Sequence, residues 1–477
     1  MERLSGLDAS FLYLETPAQM LHVCGLVVID PSTIPGGYSF PTFAAELSER
    51  IKTIPSFRRK LRHVPLHLDH PVWVEDEDFD IDRHLHRLAL PAPGGPKELG
   101  EICAHLAGIP LDRSRPLWEM WVIEGLPEGR IAVFSKMHHA TVDGVSGANM
   151  VSHLCSLAPD EKSPMPAEDS GPGRDVTELE LAVRGVVTNL TKPLHAAKLL
   201  APSVNLLAKT VDRARKGTAM AAPLTAPRTS FNGTITGHRS VAYVDLALER
   251  IKDIKNATGA TVNDVVLTVS GGALRRYLDA RGELPESSLL ATVPVSVHET
   301  SSRSDGSNKV SALFTKLGTD VADPLERLRA MTASNRNAKD HHKAIDADTL
   351  QDWAEFAAPR TFGLAVRLYS GLRLAEKHPV VHNLVISNVP GPPVPLYFLG
   401  ARIDALYPLG PVFHGAGLNI TVMSNNGQVH VGIIACRELM PKVWELADHF
   451  PAELEALHKA ATAPKRKKST KKTAAAR

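Results

Sequence analysis

Cysteine is scarce in this sequence. Four residues (Cys24, Cys103, Cys155 and Cys436) are spread over 477 positions, and none forms a CxxC pair. A zinc site and a disulfide framework are therefore not expected, and a reducing compartment fits. Long apolar runs are also missing. A spanning helix needs about 18 or more such residues, so none is expected. The start, MERLSGLDASFLYLE, lacks an apolar core followed by small residues, so no secretory signal is expected. Several catalytic signatures are absent. There is no GxSxG nucleophile elbow, no GxxxxGK[ST], no GxGxxG between a strand and a helix, and no HExxH. These absences count against hydrolase, nucleotide-fold and zinc-protease readings. What remains is ordinary globular composition, 43% hydrophobic and 22% charged, at a length that suits two or three domains.

The net charge of +2 hides an asymmetry. The last fourteen residues, PKRKKSTKKTAAAR, carry seven Lys/Arg and no acid. The rest holds 47 basic against 52 acidic residues, a charge of about −5. Bulk charge therefore does not support nucleic-acid binding by the body. Two readings stand for the tail: a solvated end, or a weak electrostatic tether to anionic lipid.

Along the chain, helical and strand patterns alternate. His22 to Asp30 reads as a strand. Pro41 opens a helix carrying Phe43, Leu47 and Ile51. Lys97 to Gly108 places Leu99, Ile102, Cys103 and Leu106 on one face. Glu119–Leu126 and Ile131–Met137 form a hairpin pattern around Pro-Glu-Gly, and Val145–Leu157 reads as a helix. From Ala158 the composition turns to Pro, Asp, Ser and Gly, an exposed linker. Helical patterns follow over 177–190 and 193–216. A second series then begins with a strand at Ser240–Leu246 and a helix from Leu248 that stops at Gly259. Thr261 caps a further helix, with strands at 289–297 and 309–317 and a helix opening at Pro324. Strands at 382–388, 418–424 and 428–435 and helices around 443–458 complete it. Two β/α halves joined by a linker is the expected organisation.

The sharpest local feature is Lys136-Met137-His138-His139-Ala140-Thr141-Val142-Asp143-Gly144. A strand runs out into two histidines, and an Asp-Gly turn precedes a helix. An imidazole at a strand end is held rigidly and is suited to base chemistry near neutral pH. The bland alternative is a buried structural pair. Metal binding is disfavoured, because consecutive strand residues point to opposite faces. Other features have simpler readings. His414-Gly415-Ala416-Gly417 reads as a turn. The acidic run Glu75 to Asp82 lacks the glycine and closing glutamate of a calcium loop and reads as a solvated loop. His84 and His86, flanked by Arg83 and Arg87, read as surface residues.

At HHATVDG the sequence resembles the bacterial wax ester synthase/diacylglycerol acyltransferase family, within a superfamily that shares HHxxxDG. Other segments narrow the match: Leu7-Asp8-Ala9-Ser10-Phe11; Pro110-Leu111-Asp112 through Pro116-Leu117-Trp118-Glu119; Thr261-Val262-Asn263-Asp264-Val265 through Gly272-Ala273-Leu274-Arg275; and Ser387-Asn388-Val389-Pro390-Gly391-Pro392. Together they span about residues 4 to 455 in order. One departure is Ser307-Asn308, where many members have Gly-Asn; here the glycine is Gly306.

The resemblance implies an α/β fold of two similar chloramphenicol-acetyltransferase-like domains, each a mixed sheet with flanking helices, and a tunnel between them. In this chain that division is 1–176 (with 158–176 as linker), a helical crossover and connector over 177–238, a second domain over 239–460 and a basic tail over 461–477. It implies transfer of an acyl chain from coenzyme A to diacylglycerol or a long-chain alcohol, with acyl-CoA as co-substrate and no cofactor or metal. His139 would be the general base, His138 its neighbour and Asp143 the organiser of the loop. Gly144, Asn263 and Ser387 would serve substrate binding, with Asn263 or Ser387 as candidate oxyanion donor. Pro116-Leu117-Trp118 reads as packing. The expected location is cytoplasmic and peripheral, at the inner face of the plasma membrane or at lipid droplets. Leu181 to Lys216 is a candidate lipid-facing surface, and a helix buried between the halves explains it equally well. Rival functions are a same-fold acyltransferase with a carrier-protein donor or polyketide alcohol acceptor, and a non-catalytic lipid-binding member.

Overall fold

The structure, a computed structural model, describes residues 2–141, 154–161, 180, 222–296, 310–342 and 359–463. In chain order the first half contains β1 (Glu2–Arg3), α1 (Gly6–Leu14), β2 (His22–Asp30), α2 (Phe40–Lys52), β3 (Arg59–Arg62), β4 (Val72–Glu75), β5 (Leu85–Ala89), α3 (Pro96–Ala107), β6 (Trp118–Glu124), β7 (Ile131–His138) and β8 (Cys155–Ser156). The second contains β9 (Arg239–Ala247), α4 (Leu248–Thr258), α5 (Val262–Asp279), β10 (Leu290–Ser296), β11 (Val310–Lys316), α6 (Pro324–His342), α7 (Pro359–Gly371), β12 (Leu384–Val389), β13 (Tyr397–Phe398), β14 (Ala401–Leu409), β15 (Leu418–Asn425), β16 (Gln428–Cys436) and α8 (Val443–Thr462).

Local signals account for many of these boundaries. Ser39 caps α2 by accepting from Thr42 N, and Phe43, Leu47 and Ile51 are buried on one face. Gly259 closes α4 in a left-handed conformation (φ 77°). Thr261 and Asp264 form a capping box at the start of α5. Asp264 is buried, and its Oδ1 also accepts from Asn335 Nδ2 of α6 at 2.6 Å, so the first turn of α5 is pinned from two sides.

The first large sheet has the order β5-β6-β7-β2-β14-β13-β8, and the second β11-β10-β12-β15-β16-β9; a small third sheet is β1-β4-β3. Both large sheets mix parallel and antiparallel pairs. Sheet membership does not follow chain order. β14, from the second half, pairs antiparallel with β2 (Leu406 opposite Val27) and completes the first sheet. The two sheets come so close there that a Cβ on Gly432 would lie 2.0 Å from Pro408 O, which leaves room only for glycine. An apolar core between the halves draws on both: Cys103 of α3, Phe134 of β7, Val241 of β9, Tyr407 of β14 and Ile434 of β16.

Several expectations need correction. His84 is not a surface residue. It is 3% exposed, stacks on Phe79 and Trp118, and its Nδ1 lies 2.8 Å from Trp118 O. Its flanking arginines point outward while its ring completes an aromatic layer. The helix expected over 145–157 does not run to its end. Cys155–Ser156 pair with β13 instead, because a sheet edge is available there; residues 142–153 lie outside the described residues. The C-terminal helix is single and runs through Pro451. The strand β14 carried no expectation of its own. The helical patterns over 181–216, the loop at Gly306-Ser307-Asn308, most of the linker and the tail from 464 lie outside the described residues.

Candidate active site

β7 is an inner strand of the first sheet, between β6 and β2. Its last residue pairs with His22 of β2, His138 N donates to Leu117 O at 3.0 Å, and His139 N donates to Leu21 O at 2.7 Å. After His138 the chain tightens into a 3₁₀ turn, His139–Thr141, closed by Thr141 Oγ1 donating to His138 O at 2.7 Å. The turn gives the two imidazoles different surroundings.

His138 is 1% exposed. Its Nδ1 accepts from Ala140 N at 3.0 Å, so Nε2 carries the proton and donates to Glu15 Oε2 at 2.6 Å. Glu15 ends α1 and also accepts from Arg113 Nη2 at 2.9 Å; the same nitrogen reaches Leu12 O at 3.0 Å. Burial alone would raise the Glu15 carboxyl. The His138 hydrogen bond and the nearby positive charge of Arg113 outweigh it and bring the group down to about 2. His22 lies 3.8 Å from the other Glu15 oxygen; burial pushes its ring down to about 3, so it is neutral at physiological pH.

His139 sits under Phe11 of α1, with ring centroids 4.0 Å apart and planes 26° from parallel. Its Nδ1 is buried with no hydrogen-bond partner among the described residues. Burial pushes the ring down to about 4; its own backbone carbonyl pulls the other way, and His138 adds to the fall. The imidazole is therefore uncharged near neutral pH and able to accept a proton. The neighbouring segment is tied to the second half of the chain. His414 N donates to Gln19 Oε1 at 2.9 Å, and Arg239 Nη2 donates to Ala18 O at 2.8 Å. The His414–Gly417 stretch is the expected turn, with Gly415 at φ 86°.

In the second half, Asn263 is at the second position of α5, and its Oδ1 accepts from Asn388 Nδ2 at 3.2 Å. Two of the sequence signatures thus meet, but through Asn388 and not Ser387. Strand alternation explains this. Leu384 and Ile386 pack among the helices with Asn388 in phase, whereas Ser387 lies beside Thr421 on the face turned to the first half. Asn263 and Ser387 are not brought together by any described contact. Asp143 and Gly144 lie outside the described residues. Leu117 and Trp118 are buried, as packing residues should be, and Trp118 Nε1 donates to Phe57 O at 2.8 Å.

Glu15, Arg113, Phe11 and His22 escaped the sequence reading. One signal was present. Glu15 is an acid directly after the apolar helix that carries Leu7-Asp8-Ala9-Ser10-Phe11, but its partners stand about a hundred residues away. Lys136 was also missed. It is fully buried, lies 4.8 Å from the Trp121 ring centre, and donates to Leu106 O and Ile109 O, closing the end of α3. Among the described residues no group of three or more His, Cys, Asp or Glu is arranged to hold a metal ion. None of their helices is long and apolar enough to cross a membrane.

Two interlocked mixed sheets, with an HHxxxDG histidine at an inner strand end beside their contact, define an acyltransferase of the chloramphenicol-acetyltransferase-like class. The fold recurs in the first condensation domain of the calcium-dependent antibiotic synthetase, at TM-score 0.56 and 15% identity over 97% of each chain. A closer likeness is the wax ester synthase/diacylglycerol acyltransferase of Marinobacter aquaeolei VT8. It is 33% identical at TM-score 0.69, covering 97% of this chain and 100% of that one. The profile of the wax ester synthase/diacylglycerol acyltransferase catalytic domain matches residues 4–266, and that of the family's C-terminal domain matches 306–458. A Mycobacterium tuberculosis protein named as a diacylglycerol O-acyltransferase is 49% identical over 458 residues, 96% of this chain and 90% of that protein. A second from the same species, named likewise, is 36% identical over 465 residues, 96% and 99% respectively. The chain belongs to the wax ester synthase/diacylglycerol acyltransferase family.

Proposed function

We propose that this chain transfers a long-chain acyl group from coenzyme A to the hydroxyl of diacylglycerol, or of a long-chain alcohol, with His139 as general base. The halves 1–176 and 239–460 would act as two acyltransferase-like domains joined by 177–238. The observation that carries the reading is the uncharged imidazole of His139 just past the strand end, stacked under Phe11 and held through its backbone N–H to Leu21 O. A thioester is already activated, and the weak partner is the alcohol. His139 Nε2 takes the hydroxyl proton as the oxygen bonds to the thioester carbonyl carbon. The tetrahedral adduct then expels the coenzyme A sulfur, which leaves with the proton from His139. No covalent enzyme intermediate forms. The base is worth about 10²–10⁴-fold.

His139 needs its proton on Nδ1 and its lone pair on Nε2. His138 has the opposite tautomer, locked by Ala140 and Glu15, and so serves as a positioning residue. The oxyanion falls to a donor from the second half, Asn263 or Ser387, and Asp143 with Gly144 shapes the loop after the base.

The test is a panel: purified protein with labelled palmitoyl-CoA and diolein, hexadecanol or a short-chain alcohol, read as neutral-lipid product. Triacylglycerol or wax ester from wild type, lost in His139→Ala at unchanged melting temperature, supports the reading. Absence of product with every CoA donor, but turnover with an acyl carrier protein, would favour the carrier-donor alternative.

A further inference from the structure

Helix α7 faces the wrong way for a surface helix in water. Gly363, Val366, Tyr369 and Ser370 form its partly covered side. That side packs on α1, where a Cβ at Gly363 would lie 4.0 Å from Tyr13 O, and on the His378 and His414 rings through Tyr369. The opposite side should be polar. Instead it carries Leu364, Leu368 and Leu372, which are 59%, 52% and 55% exposed. Leu372 N bonds to Leu368 O at 2.9 Å, so the helical spacing continues through all three, at i, i+4 and i+8. They form one continuous outward stripe, unlike scattered surface leucines, which need no explanation.

Among the described residues 359–378 the charge has one dominant sign. Arg367 stands exposed on the helix beside the leucines, and Arg373 and Lys377 follow just past its end. The acid here is Glu376, which Arg373 engages at 2.7 Å. An exposed leucine stripe rimmed by Arg and Lys is the composition of a helix that lies in the interface of an anionic bilayer, its apolar side among the acyl chains and its cations at the headgroups. Its position fits such a task. α7 rests on α1, and α1 carries the Phe11 ring that stacks on His139.

We propose that α7 is the docking element by which this protein seats on an anionic phospholipid surface, with Leu364, Leu368 and Leu372 inserted and Arg367 and Lys377 at the headgroups. That this docking delivers a lipid acceptor toward His139 rests on the acyltransferase reading; the docking itself does not.

The test uses the full chain and the triple variant Leu364→Ser/Leu368→Ser/Leu372→Ser, whose side chains are exposed and so dispensable for folding. Co-sedimentation is measured with vesicles of phosphatidylglycerol mixed with phosphatidylcholine, without substrate, together with turnover of a short-chain alcohol in solution. Wild type should bind these vesicles better than pure phosphatidylcholine. The triple variant should need at least roughly tenfold more lipid for half-binding, while soluble turnover stays at the wild-type rate. A wild type that ignores the vesicles, or a triple variant that binds like wild type, overturns the proposal. So does a wild-type dimer that the triple variant converts to monomer, which would assign the stripe to a second copy. Vesicle binding that depends on the stripe in a protein with no transferase activity would keep the docking and remove the reaction.

Discussion

The segments proposed for the site carry different chemistry in the two halves. The first half brings titratable groups: His139 beneath Phe11, and His138 wired through Glu15 to Arg113. The second brings neutral amides, with Asn388 donating to Asn263 at the capped start of α5. In the proposed reaction the first side would take up and release a proton, and the second would donate hydrogen bonds without changing charge. A reaction that moves one proton and builds one oxyanion needs both, and it has no use for two acids or two bases facing each other.

The comparison can be broken most directly at the base. His139→Ala should lower kcat by about 10²–10⁴-fold with an unchanged melting temperature, since among the described residues Nδ1 of that ring bonds to nothing that would be left stranded. Equal activity of variant and wild type at equal stability would remove His139 from the mechanism. His138→Ala should cost less activity but more stability, because Glu15 and Ala140 N each lose a buried partner.

On the amide side, Asn263→Ala should lower kcat by about 10²-fold with little change in KM, the usual cost of removing one oxyanion donor. Asn388→Ala should follow in the same direction but more weakly. If Ser387→Ala proves the more damaging change, the donor lies on the opposite face of β12, and the contrast between the halves must be redrawn around Ser387 and Thr421.

Glu15→Gln probes the wiring. It keeps the shape and removes the charge from a carboxylate held by His138 and Arg113. Hydrogen bonds to charged groups contribute about 1.5–3 kcal/mol, so a chemical denaturation midpoint should fall with an unchanged slope. Turnover should drop through kcat, as the ring beside His139 loses its anchor. Unchanged stability would mean that Arg113 and water already satisfy the carboxylate.

The mildest effect should appear with pH. His139 is held down to about 4 by burial, so the acid limb of kcat/KM should lie near 4 and not near 6.5. Stability should move the same way. Burial lowers His22 to about 3, and His382 and His414 to about 4. Each binds a proton in the unfolded chain near 6.5 but not yet in the folded one. The unfolded state therefore gains protons first, and stability is complete above about pH 6.5 and declines as pH falls toward 4. A melting temperature flat from pH 7 to 4 would contradict these depressed rings.

Residues that act on their near neighbours are legible in the sequence itself. Thr261 with Asp264, Ser39 ahead of α2, Gly259 after α4 and the Ile131 strand running into His138 and His139 all declare themselves within a few positions. Caps, turn glycines and apolar periodicity are short-range physics, so the sequence alone determined most elements, the α/β class and the position of the candidate base. It could not say which strands share a sheet. β14 completes the sheet of the other half because its partner β2 lies some 380 residues away, and pairing energy depends on contact in space. The same reason hid the burial of His84, the 123-residue link from Glu15 to His138, the choice of Asn388 over Ser387 and the outward turn of Leu364, Leu368 and Leu372. In each case the side chain's role was set by what the tertiary fold placed against it, or left open beside it.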